Sequence, residues 1–117
     1  MRLIHKLEPI FWMLFGAGGF VVGFTLPALI LGVLILAPMG IGQPGLTYDR
    51  AHMLASSPVG KGFLLVVIVL SLWHAAHHLR HFILDLFGHS GMVAGAYLSY
   101  GLALAGTVAA LAVVGGL

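Results

Sequence analysis

Residues 11–36 read FWMLFGAGGFVVGFTLPALILGVLIL, a run of twenty-six positions that contains no Asp, Glu, Lys, Arg, His, Asn or Gln. A soluble helix is apolar along one stripe and a buried strand runs for about 4–8 residues. An unbroken apolar run of about 20 residues is instead the length of helix that crosses the ~30 Å hydrocarbon layer of a bilayer. Outward from it, Arg2, Lys6 and Glu8 precede the run, and the next formal charge is Asp49. Two more charge-free stretches follow, between Lys61 and Arg80 and from Asp85 to the end. They predict helices over 62–85 and 92–115 beside the first at 11–36. The fold class is therefore an all-α integral membrane protein, with three transmembrane helices up-down-up in one membrane-anchor domain over residues 1–117.

Composition agrees. Of 117 residues, 61% are hydrophobic and 7% are charged, against about 45–50% and about 25% in soluble domains. So few charges cannot coat a water-soluble globule. They can flank segments in lipid, where a central charge costs about 2.5–3.5 kcal/mol. With no cysteine, disulfides, thiolate metal sites, cysteine-bound iron–sulfur clusters and a cysteine nucleophile are all excluded. Five Lys and Arg spread along the chain make no basic face for nucleic acid. No catalytic or metal-ligating set suits an enzyme acting alone. The first apolar run is also longer than the roughly 7–15 residues of a signal-peptide core, and no small-x-small cleavage site follows it, so it is expected to be retained.

Local signals mark the boundaries. Pro9 suits a first helical turn and Glu8 the positive end of the helix dipole. Pro27 lies inside the first helix, where a kink is expected. Pro38, Gly40, Gly42, Pro44 and Gly45 end it. Residues 39–61 make the long loop, with a short helix expected around Arg50–Ser57. Small residues recur at four-residue spacing in Gly19/Gly23, Gly91/Gly95 and Gly101/Ala105/Ala109, a pattern that lets helices approach closely in lipid.

The chemistry concentrates in the end of the second helix. At about 100° per residue, His74, His77, His78, His81 and Asp85 share an arc of about 100°, with Trp73 and Arg80 on a neighbouring face. Polar groups at membrane depth face protein or a water-filled cavity. Three chemistries compete. His74, His77 and His78 form one HxxHH box of the kind that membrane di-iron desaturases use in sets, but no second box is present. A bis-histidine haem needs ligands from opposing helices, and the first and third helices contain no histidine, so none is expected within this chain. A redox lipid fits the residues: a quinol hydroxyl needs hydrogen-bond partners and a group titrating near neutrality, and histidine is both. Trp12 and Phe15 stand at the same level to pack on the ring.

The segment Glu8-Pro9-Ile10-Phe11-Trp12-Met13-Leu14-Phe15-Gly16-Ala17-Gly18-Gly19 resembles the N-terminal signature of the fumarate reductase D subunit, a hydrophobic membrane-anchor family. The likeness continues in order through Tyr48-Asp49-Arg50, Leu72-Trp73, Asp85-Leu86 and Tyr100-Gly101-Leu102. It implies a non-catalytic anchor in the cell inner membrane, with the N-terminus cytoplasmic. The implied partners are a second three-helix anchor (the C subunit), an iron–sulfur subunit and a flavoprotein that carry the iron–sulfur clusters and FAD. Menaquinol would be oxidised at the interface with them, without haem, and fumarate reduced at the flavin. The family's quinol-site residues correspond here to Trp12, Phe15, Gly16 and His77. His78 stands where the family often has Arg, and Arg80 where it often has His. The anchor of a succinate:quinone oxidoreductase running the opposite way, or a non-redox scaffold, are the alternative readings.

Overall fold

The computed structural model describes residues 2–42 and 47–117, apart from the side chains of residues 4 and 5. Pro44 and Gly45, two of the expected helix-ending residues, lie outside the described residues. Everything regular among the described residues is helical.

Helix α1 spans Arg2–Leu29 and runs directly into a π-helical stretch, Ile30–Leu36. It starts well before the expected position, so Pro9 is inside the helix and not in its first turn. Helix formation does not require lipid: Arg2, Lys6 and Glu8 sit on exposed turns, and Arg, Lys and Glu are good helix formers. The α-helix continues through Pro27 to Leu29, and wider π turns follow over Ile30–Leu36, with Ala37 N–H donating to the Gly32 carbonyl at 3.0 Å. Gly40 and Gly42 then take φ of 74° and 83°, left-handed values that a side chain disfavours.

The loop expected over 39–61 is largely helical. Helix α2 covers Tyr48–Ser56, close to the short helix expected there. Helix α3 spans Pro58–Phe87, longer at both ends than the charge-free stretch. Its start is a strong local signal: Ser57 caps the helix by accepting the Gly60 N–H at 3.0 Å, and Pro58 opens the first turn. Gly88, at φ 59°, stops it. A 3-10 turn, Gly88–Gly91, leads into α4, Met92–Gly115, whose bounds match the sequence expectation.

Helix α3 lies between α1 and α4 and runs antiparallel to both. Along α4, Ile83 packs on Gly95, Trp73 bonds Thr107, and Lys61 Nζ donates to the Gly115 carbonyl at 3.2 Å. Along α1, His77 meets Trp12 while Gly18 meets Leu70 and His74. The face of α4 that packs inward is Gly95, Ser99, Ala103, Ala110 and Val114, all buried, with Gly91 buried just before it. Gly101, Ala105 and Ala109 do not lie on that buried face. In α1 it is Gly18 that makes the close approach, with Gly19 beside it against the His74 ring, whereas a side chain at Gly23 would meet nothing within 4 Å.

The three long helices form a slab of 53 × 26 × 20 Å. Its core is thin, and large apolar side chains such as Phe20, Phe24, Leu34, Val108 and Val113 point outward. Two helical stretches, Lys6–Leu36 and Pro58–Gly115, are long and apolar enough to cross a membrane. The second is the α3–α4 hairpin.

Candidate functional site: a histidine and aromatic cluster between α1 and α3

The end of α3 and the first half of α1 meet around aromatic rings. Phe15 is the centre. Its ring stacks on His74 with centroids 4.7 Å apart and planes 12° from parallel. His77 lies 4.5 Å away and His78 5.3 Å away. Trp12 is edge-on to Phe15 at 6.0 Å and to His77 at 6.4 Å. Aromatic faces cover these three imidazoles, and the ring nitrogens of His74 and His77 find polar partners.

The polar partners differ between histidines. His74 Nδ1 lies 3.1 Å from the Phe15 carbonyl. A carbonyl only accepts, so this nitrogen carries the hydrogen and donates. His74 therefore ties α3 to α1 beneath Gly18 and Gly19. His77 faces α4 instead, with Nδ1 3.2 Å from the Tyr100 hydroxyl. Arg80 donates to that same oxygen at 3.3 Å, and its guanidinium lies 5.8 Å from the centre of the Tyr100 ring. Tyr100 is itself held in a ring stack, 5.0 Å from Phe11 and 5.9 Å from Trp73. The Trp73 indole N–H donates to Thr107 Oγ1 at 3.2 Å, and Thr107 donates in turn to the Ala103 carbonyl four residues back. The other nitrogen of His77, Nε2, lies 3.2 Å from Nε2 of His81.

These groups enclose a cavity of about 130 Å³ walled by Glu8, Phe11, Trp12, His77, Arg80 and His81. Its wall combines aromatic faces with a carboxylate, a guanidinium and two imidazoles, a set able to hold a flat ring by its faces and its oxygens by hydrogen bonds. Trp12, His77 and Arg80, expected from the sequence, are all in it. Phe15 touches it through Trp12 and His77. His78 does not line it, and its ring contacts are with Phe15 and, edge-on at 4.7 Å, His74. Gly16 is exposed and a side chain there would meet nothing within 4 Å, so within this chain it lines no part of the wall. The cation of the cavity is thus Arg80, with position 78 turned away. The histidines form a ridge rather than a cage: among the described residues, no three His, Asp or Glu converge as a metal site.

Four contributors do not stand out in the sequence. Glu8 and Phe11 are in the wall because α1 extends past Pro9 without a break. His81 belongs to the histidine stripe, and its i,i+4 spacing pairs it with His77, but its place in the cavity wall depends on where α1 packs. Tyr100 comes from α4, and its place opposite His77 depends on the α3–α4 register.

Comparison with known proteins gives one family. The model of the family described as the fumarate reductase D subunit matches residues 3–114. A fumarate reductase D subunit of Vibrio vulnificus (strain YJ016) is 43% identical over 108 residues, covering 92% of this chain and 84% of that protein. The D subunit of Vibrio cholerae serotype O1 (strain M66-2) is 42% identical over 108 residues, covering 92% and 81%. That of Shewanella putrefaciens (strain CN-32 / ATCC BAA-453) is 39% identical over 94 residues, covering 80% and 77%.

Proposed function

From the premise that this chain belongs to the fumarate reductase D-subunit family, we propose that it anchors a fumarate reductase complex in the cell inner membrane and supplies one wall of its quinol site. Helices α1, α3 and α4 each cross the bilayer. At 1.5 Å per residue, the 24 residues of α4 reach about 36 Å, enough for a ~30 Å hydrocarbon layer. With three crossings, the start of α1 and the α3–α4 turn share one side, which in this reading is the cytoplasmic side. The partners are a second three-helix anchor, an iron–sulfur subunit and a flavoprotein.

The observation that carries the quinol site is the cavity in which Trp12 from α1 meets His77 and Arg80 from α3. Trp12, with Phe15 behind it, packs on the quinol ring. The imidazole edge takes hydrogen bonds and protons, and Arg80 offers donors to a quinone oxygen. His78 and the open backbone at Gly16 face the companion anchor. Menaquinol gives up two electrons and two protons at this site. The electrons pass through the iron–sulfur clusters to the flavin of the partner subunits, where fumarate takes up two electrons and two protons to become succinate. This chain itself reduces nothing.

The test is purification with the native partners, followed by an absorption spectrum, quinone extraction and titration with a quinone analogue. The expected result is flavin and iron–sulfur absorption without a haem Soret band, menaquinone in the extract, and saturable analogue binding. An assembled complex that binds no quinone analogue contradicts the quinol site, and a Soret band contradicts its haem-free character.

A further inference from the structure

Resting on the quinol-site reading above, we propose that His81 is the proton acceptor for one quinol hydroxyl and that proton's outlet to water, and that His77 is the positioning residue that holds it.

Four linked side chains share a limited set of hydrogens. Arg80 can only donate, so it occupies one lone pair of the Tyr100 oxygen. His77 is engaged at both ring nitrogens, Nδ1 by Tyr100 and Nε2 by His81. His81 is engaged at Nε2 alone. Among the described residues, its Nδ1 is the one ring nitrogen of the pair that no protein group holds. His81 is also exposed, while His77 is packed against Phe15 and Trp12. His81 lines the cavity and stands less than two turns from the end of α3. Of the two imidazoles in the cavity wall, His81 is therefore the one that also reaches the outer surface of this chain.

Two arrangements of hydrogens satisfy the chain. In the first, His77 Nδ1–H donates to Tyr100, His81 Nε2–H donates to His77, and His81 Nδ1 presents a lone pair. In the second, Tyr100 O–H donates to His77 Nδ1, His77 Nε2–H donates to His81, and His81 Nδ1 presents an N–H. A quinol offers an O–H and needs the lone pair. The quinone that replaces it offers a carbonyl and needs the N–H. One imidazole backed by a reversible chain meets both needs without moving the backbone.

In the proton transfer, a quinol O–H bond breaks and its proton bonds to His81 Nδ1, making an imidazolium. That cation stands beside the Arg80 guanidinium, so the proton is passed on, and it leaves His81 for water. The second hydroxyl lies across the ring, out of reach of His81, and its proton goes to a separate acceptor on that side. The two electrons leave separately to the redox centres of the partner subunits. The charged and titratable groups around the pair are Glu8 from α1, His74, His78, Arg80 and Asp85 from α3, and Tyr100 from α4.

The experiment uses the assembled complex carrying His81→Gln, with content of the partner subunits in the membrane and dye-driven fumarate reduction as checks of assembly. Quinol-driven turnover should fall about 10²-fold or more, the scale of a lost proton acceptor. Quinone-analogue affinity should stay within about threefold, and added imidazole should restore a measurable part of the turnover. His77→Gln should also lower turnover, without rescue by imidazole, because a soluble base does not replace the group that holds His81. Unchanged quinol turnover in His81→Gln overturns the proposal, as does a loss that follows lost analogue affinity. An imidazole-rescued loss in Glu8→Gln but not in His81→Gln moves the acceptor to α1 and overturns it equally. A wild-type complex that binds no analogue fails the quinol-site reading itself, and that result is distinct from all of these.

Discussion

At the scale of single residues, Arg80 shows what the side chain must provide. Its guanidinium both donates to the Tyr100 hydroxyl at 3.3 Å and lies 5.8 Å from the centre of that ring. A planar fork does both at once, whereas the Lys ammonium is a point charge on a flexible stem. Arg80→Lys should therefore weaken quinone-analogue binding about tenfold, a difference of about 1.4 kcal/mol, in complexes of normal subunit content. Unchanged affinity and turnover would make Arg80 an interfacial anchor. The histidine stripe is legible in the sequence because helical spacing alone puts His74, His77, His78 and His81 on one arc. Their division of labour is not. His74 bonds the Phe15 carbonyl and His77 bonds Tyr100, while His78 meets its neighbours through ring contacts, although all three lie close together on α3. That division depends on which neighbouring helix each ring meets, and helix–helix register is not written in the spacing of one helix.

At the scale of elements, the α1–α3 contact turns on Gly18. A side-chain carbon there would come within 2.7 Å of His74 Cβ and press on the Leu70 carbonyl. Gly18→Ala should force the two helices apart, at about 1–3 kcal/mol of overpacking, and lower the amount of assembled complex. Gly23→Ala on the same helix meets nothing within 4 Å and serves as the control for this chain's own packing. Thermal stability and membrane content of both variants check this. Equal behaviour would show that α1 and α3 do not meet at Gly18. The last long helix is legible to the residue: the expected span 92–115 is also its helical run, Met92–Gly115. The starts of the other two are not. In α1 the helix continues through polar Arg2–Glu8, and apolar length marks lipid depth rather than helix ends. In α3 the Ser57-Pro58 cap is readable by its chemistry, but it precedes Lys61 and so lies outside the uncharged run that marks the span.

At the scale of the whole molecule, the antiparallel packing puts the start of α1, the cavity and the α3–α4 turn at one end of the slab. The far end holds α2 and the Lys61–Gly115 tie. In the proposed orientation, a cysteine placed at Arg2 should resist a membrane-impermeant thiol reagent in intact cells, while one placed at Gly116 should react. The reverse pattern would invert the protein and move the quinol site to the outer side. The near-even distribution of Lys and Arg between the two ends leaves this orientation illegible from charge alone. In the proposed function, quinol is oxidised at the cavity beside His77. This is tested most directly by quinol-driven fumarate reduction per assembled complex in His77→Ala and His74→Ala. His74 ties α3 to α1, so its loss should reduce the amount of complex and leave turnover per complex within a few-fold of normal. His77→Ala should assemble and lose about 10²-fold or more of its turnover. Near-normal turnover in both variants would contradict the account.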